Sequence, residues 1–187
     1  MKSLTTSSLV VANVIVLILH SSAGVSTPRL FDHLISRQLI GSSCETRVVP
    51  AYRIIQESAI RTYIARYRLP GMHADDHYDL SISVCPPGTF LTAAQFQQRY
   101  SRFREKYADR GPAFLASEFP AIGARAQREV LSVGPGGSAY GLVFTTYDER
   151  YDIRAVLRMS LSEGVLDPDC DIEGLARRVE ARYKNRK

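Results

Sequence analysis

The clearest alternation of apolar and polar residues runs over residues 151–161. There Tyr151, Ile153, Ala155, Leu157, Met159 and Leu161 interleave with Asp152, Arg154, Val156, Arg158 and Ser160. A period of two is that of a strand with one buried face. Tyr78, Leu80, Ile82 and Val84 alternate with Asp79, Ser81, Ser83 and Cys85 in the same way, and Pro86-Pro87-Gly88 stops that strand. Two further strands are predicted over residues 127–133 and 139–147, separated by a glycine-rich turn. Residues 46–69 fit two patterns. Tyr52, Ile55, Ala59 and Tyr63 have helical spacing, whereas Tyr63, Ala65, Tyr67 and Leu69 alternate with Arg66 and Arg68. The richness of this stretch in Tyr, Ile and Thr favours strands.

Helical periodicity appears in three places. Leu30, Leu34, Ile35 and Leu39 share a face after the Thr27-Pro28 start, and Gly41 ends that segment. Thr92-Ala93-Ala94-Gln95 has capping-box spacing, and Phe96, Tyr100, Phe103 and Tyr107 follow as an aromatic stripe. Packing of that stripe against a sheet is the expected arrangement, with Gly111-Pro112 closing the helix. Asp171 caps a last helix whose Ile172, Leu175, Ala176, Val179 and Tyr183 line one side. The order is therefore helix, strands, helix, three strands, helix. It predicts an α+β fold, an antiparallel meander sheet with amphipathic helices packed on it. The second half echoes the first only loosely, too loosely to count as a repeat.

Residues 1–23 stand apart from this pattern. Lys2 is their only charge, residues 9–19 form an uninterrupted apolar run, and Ser21-Ser22-Ala23-Gly24 supplies small residues. This is the order of a secretory signal cleaved near Ala23/Gly24, and the run is too short for a helix to span a bilayer. No other segment has the length and apolarity of a spanning helix. Cleavage leaves one domain, residues 24–187, secreted or periplasmic. It retains 23 basic residues against 19 acidic ones, a net charge of about +4. The basic residues alternate with acidic ones through most of the chain, which gives no footprint for nucleic acid.

Export changes the reading of Cys44, Cys85 and Cys170. An oxidising compartment favours a bridge, and the spacings match no close-pair zinc pattern. Strand direction separates Cys44 from Cys85 by the length of a strand, too far for a disulfide. The favoured pairing is Cys85 with Cys170, leaving Cys44 as the free thiol.

Candidate chemistry is sparse. His73, Asp75, Asp76 and His77 form the densest group of potential ligands, of a type that suits Zn²⁺ or Mn²⁺. However, the segment lies between Pro70-Gly71 and a strand, where HExxH geometry needs a helix. Gly134-Pro135-Gly136-Gly137-Ser138 lacks both phosphate-loop patterns and reads as a hairpin turn. Ser138 has no evident His partner, and His33 reads as a surface residue. Arg99, Arg102, Arg104 and Lys106 oppose the aromatic stripe as a solvated face. The basic residues after Arg177 suit either helix-end compensation or contact with anionic polymers. Together these features favour a non-catalytic exported module that binds a protein or envelope component, with no cofactor. The alternative is a metal-dependent hydrolase built on His73, Asp75, Asp76 and His77.

Overall fold

The computed structural model describes residues 27–44, 51–57, 59–68, 72–134, 137–160 and 170–186. The predicted signal segment and its cleavage site lie outside them. The elements are α1 (Thr27–Leu34), α2 (Arg37–Gly41), β1 (Ala51–Glu57), β2 (Ile60–Tyr67), β3 (His77–Cys85), α3 (Ala93–Lys106), α4 (Gly111–Glu118), β4 (Arg125–Gly134), β5 (Gly137–Thr145), β6 (Asp152–Ser160) and α5 (Ile172–Lys184). The fold is α+β, and the ambiguous stretch before residue 69 forms two strands. Two departures from the periodicity have local causes. Ser36 breaks the first helix because it is extended and its Oγ accepts from Leu39 N at 3.1 Å, capping α2 instead. Gly111-Pro112 opens a helix where a stop was expected. Gly111 takes φ 80 at the corner, and Pro112 occupies the first turn, where its missing N–H is harmless.

All six strands join one antiparallel sheet in the order β1-β2-β3-β6-β5-β4. Each half of the chain makes a three-stranded meander, and the two are sewn together by their last strands. β3 and β6 pair from His77↔Ser160 to Cys85↔Asp152. One face of the sheet carries the core. Tyr63, Ala65, Tyr67, Leu80, Ile82, Phe144, Ile153 and Leu157 are buried there beneath α1, α2 and α5. Side chains of this size each stabilise by about 1.5–3 kcal/mol when fully buried. Tyr67 is wholly buried and donates its hydroxyl to Ile40 O at 2.9 Å, tying β2 to α2. Burial pushes its ionisation well up.

The sheet order makes the two halves related about the β3–β6 seam, but the helices break that relation. α5 follows β6 and lies over β5 and β6. The corresponding place over β2 is filled by α1, whose Phe31 stacks on Tyr63 with centroids 6.5 Å apart. α3, which follows β3, has β4 as its main strand contact instead. Its approach is fixed by Asp152, a buried carboxylate at the start of β6. Phe90 N and Leu91 N donate to its Oδ2 at 3.0 and 3.2 Å, and Thr145 Oγ1 donates to Oδ1 at 2.9 Å. Every lone-pair direction in use meets a donor, which is what a buried carboxylate requires. At the start of β4, Gly123 (φ 62) is needed because a Cβ would collide with the Thr145 carbonyl.

The disulfide joins Cys44 to Cys170 and leaves Cys85 as the buried free thiol, reversing the expected pairing. Strand direction explains the reversal. Cys85 ends β3 beside Asp152, whereas the chain reaches Cys170 after leaving β6 at Ser160, opposite His77. Cys85 and Cys170 therefore sit at opposite ends of a strand roughly 30 Å long. Cys44 precedes β1, whose Ala51 pairs with Arg66 at the Cys170 end. A backbone bridge confirms the proximity, with Asp171 N donating to Ser43 O at 2.8 Å.

Candidate functional site

The α3 stripe is not buried against the sheet, although α3 and α4 both border β4. Thr92 and Gln95 form the capping box, and the helix runs to Lys106 without one buried residue. Phe96, Tyr100, Phe103 and Tyr107 are half-buried among themselves and the aromatic rings of α4 and its exit. Phe119 is the hub, with its centroid 5.7, 5.1 and 5.4 Å from those of Phe96, Tyr100 and Phe103. Phe114 stacks on Phe103 at 5.5 Å and meets Tyr107 edge-on at 5.3 Å. Such pairs add about 0.5–1.5 kcal/mol beyond area burial, so the hairpin is held as a small separate cluster. The reason for the difference lies in the topology: α1 occupies the sheet face beside β2 that α3 would otherwise cover.

Between α3 and α4 lies an open groove of about 830 Å³, with Tyr100, Phe103, Tyr107 and Leu115 in its wall and both Arg104 and Glu105 lining it. The surrounding charge is uneven. Arg99, Arg102, Arg104, Lys106 and Arg110 are exposed, and among the described residues none makes an ion pair. Lys106 and Arg110 lie over the Tyr107 and Phe114 rings at 5.0 and 5.6 Å. The cations of α5 and of the residues just after it are placed differently. Arg177 pairs with Glu173 at 2.7 Å, Arg186 with Asp148 at 3.1 Å, and Lys184 stands 3.6 Å from Glu180. Arg178 and Arg182 donate to Ser43 and Ser36. The C-terminal basic residues are thus largely paired within the fold, whereas those of the hairpin have no carboxylate partner among the described residues, Arg99 donating instead to Gln127 Oε1 at 3.5 Å.

The His/Asp segment forms a turn into β3. His73 and Asp75 are exposed, Asp76 is buried, and Asp76 N donates to His73 O at 3.1 Å. His77 engages the Asp75 backbone and the Asp79 side chain. Its Nδ1 lies 2.8 Å from Asp75 O, and its Nε2 lies 3.6 Å from Asp79 Oδ2. Asp79 in turn receives both Arg66 Nε and Nη2 at 2.8 Å. Among the described residues, no three His, Cys, Asp or Glu side chains are gathered to hold a metal ion. Cys85 offers no reactive thiol. It is fully buried, donates to Asp152 O at 3.2 Å, and burial pushes its ionisation up to about 12. The centre of the glycine turn, residues 135–136, lies outside the described residues.

Sequence reasoning found the stripe but missed α4, and with it the groove. The signal was present: Phe114 and Phe119 after a Gly-Pro pair are apolar residues with a favourable helix start. No family model, curated protein or solved structure matches the chain.

Proposed function

We propose that this is an exported, non-catalytic binding module that holds an acidic, apolar segment of a protein partner in the α3–α4 groove. One observation carries the reading: an aromatic groove left half-exposed by the fold is lined by Arg104, and Arg102, Lys106 and Arg110 are exposed on the same hairpin, none with an ion-pair partner among the described residues. Aromatic walls favour apolar side chains from the partner, and unpaired Arg and Lys on the hairpin favour carboxylates. Export rests on the N-terminal segment. It agrees with a disulfide, which persists in oxidising compartments, and with the absence of a membrane-length apolar helix among the described residues. The mature chain is expected to begin near Gly24, which the intact mass of exported protein measures directly.

A peptide array that alternates Asp or Glu with Leu, Phe or Trp tests the groove. The wild-type protein should enrich acidic–aromatic peptides in a salt-sensitive way, and Phe103→Ala and Arg104→Glu should each abolish the enrichment. Equal enrichment by both variants, or none by the wild type, would overturn the reading.

A further inference from the structure

The two edges of the sheet are not equivalent. β4 is interrupted by a bulge between Val130 and Ser132 and has α3 and α4 against it. Bulges and covering helices keep an edge from pairing with another chain. Among the described residues, β1 has neither device. Its register with β2 is unbroken from Ala51↔Arg66 to Glu57↔Ile60, and its main contact is β2. Five of its seven side chains are exposed, and Ile54 keeps 50% of its surface. Among the described residues, neither Arg53 nor Glu57 makes an ion pair.

The order of residues along β1 is self-complementary. Arg53, Ile55 and Glu57 alternate onto one face. A two-fold axis normal to the sheet keeps each residue on its own face, so the axis passes through a residue of the strand. Centred on Ile55, it places each Arg53 opposite the Glu57 of the other copy and brings the two Ile55 side chains together. Centred on Ile54 or Gln56, it leaves the charges facing apolar side chains or the strand end. Centred on Arg53 or Glu57, it sets like charges together, which is destabilising. We infer that two copies of this chain pair antiparallel through β1, about Ile55, joining their sheets into one.

This is an isologous contact, the commonest kind in homo-oligomers, made by adding a strand to a free edge. Sedimentation velocity over a concentration series of the full chain tests it, alongside Arg53→Glu, Glu57→Arg and the double variant. The wild type should dimerise. Each single reversal should weaken association about tenfold or more, because two attractive pairs become repulsive. The double reversal should restore the dimer. Ile55→Cys adds an independent readout: its Cα atoms would lie about 4.5–5.5 Å apart across the ladder, within disulfide reach. Cys85 is buried and the other two cysteines are bridged, so a covalent dimer would report this register. Arg53 and Glu57 are exposed and Ile55 is half-buried, and unchanged melting curves would show that the variants fold. A wild type that stays monomeric would overturn the inference. So would a dimer indifferent to both reversals, or an Ile55→Cys chain that does not cross-link.

Discussion

Tyr67, Tyr78 and Tyr183 lie on the α1–α2–α5 side of the sheet and expose none of their surface, whereas no ring of the α3–α4 hairpin reaches full burial. Both regions are built from capped helices with an apolar stripe. In α5 Gly174 N donates to the Asp171 cap at 2.6 Å, and α3 has the Thr92 box. The stripes are of similar quality but meet different surroundings. α5 emerges beside an uncovered face over β5 and β6, while the matching face beside β2 is already filled by α1. Periodicity establishes that one side of a helix is apolar. What covers that side depends on which neighbour arrives first in space.

The sharpest way to break this comparison is to truncate one ring in each region. Phe144→Ala removes a fully buried side chain from β5 and should cost about 3–5 kcal/mol. Denaturant unfolding with an unchanged m-value gives the number. A loss near 1 kcal/mol would mean that the core collapses around the gap and that the two sides differ less than their burial suggests.

The disulfide belongs to the packed side, where it ties the end of α2 to the start of α5. Cys44→Ser or Cys170→Ser should cost about 2–5 kcal/mol because the bridge closes a long loop. Non-reducing peptide mapping should recover a Cys44–Cys170 peptide and an unmodified Cys85. Any peptide joining Cys85 to Cys170 would refute the strand order, since it needs opposite ends of β3 to meet.

That bridge marks the limit of what the residues alone disclose. The strands were legible because a half-buried strand must alternate, as residues 77–85 and 152–160 do. Two cap sites, at Thr92 and Asp171, were legible because helix ends need specific side chains. The pairing of β3 with β6 was not legible. Those strands are separated by 66 residues between Cys85 and Asp152, and alternation says nothing about which strand lies alongside. Once β6 is placed antiparallel to β3, the directions of all six strands follow, and the cysteine pairing with them. The role of Asp152 was hidden for a related reason. In sequence it is one polar position in an alternating strand, and only the fold brings Phe90 N, Leu91 N and Thr145 to it.

Phe103→Ala, on the open side, should cost only about 1 kcal/mol, as expected for a half-buried ring, while removing peptide capture by the groove. Stability and binding therefore separate in this variant, whereas Phe144→Ala should lower stability alone. Should Phe103→Ala destabilise as much as Phe144→Ala, the hairpin would be part of the core and the groove a packing defect. Arg104→Glu should leave the melting temperature within error and reduce binding, because Arg104 is exposed and has no ion-pair partner among the described residues.

The smallest effect concerns Glu180, a polar defect on the packed side. It is 4% exposed, lines a crevice of about 210 Å³ with Arg177, Lys184 and Ile122, and neither carboxylate oxygen has a well-formed hydrogen bond within 3.5 Å among the described residues, Lys184 and the Tyr147 backbone being its nearest donors. Asp152 is as deeply buried but fully bonded. Burial raises the Glu180 pKa above the ordinary glutamate range, and the Asp148 carboxylate adds to this. Lys184, 3.6 Å away, and the Tyr147 backbone oppose it without cancelling it. In the unfolded chain the group loses its proton near pH 4, and in the folded chain it holds the proton to higher pH. Between those two values the folded state binds more protons, so stability falls as pH rises and then levels off above the folded pKa. Glu180→Gln keeps the shape and removes the charge. The variant should match the wild type in acid, gain on it as pH passes the unfolded glutamate value, and be modestly more stable at neutral pH. Chemical denaturation at a series of pH values would show this. A variant less stable than the wild type at neutral pH would mean that the Lys184 pair outweighs desolvation, and that the packed side tolerates a charge as readily as the open one.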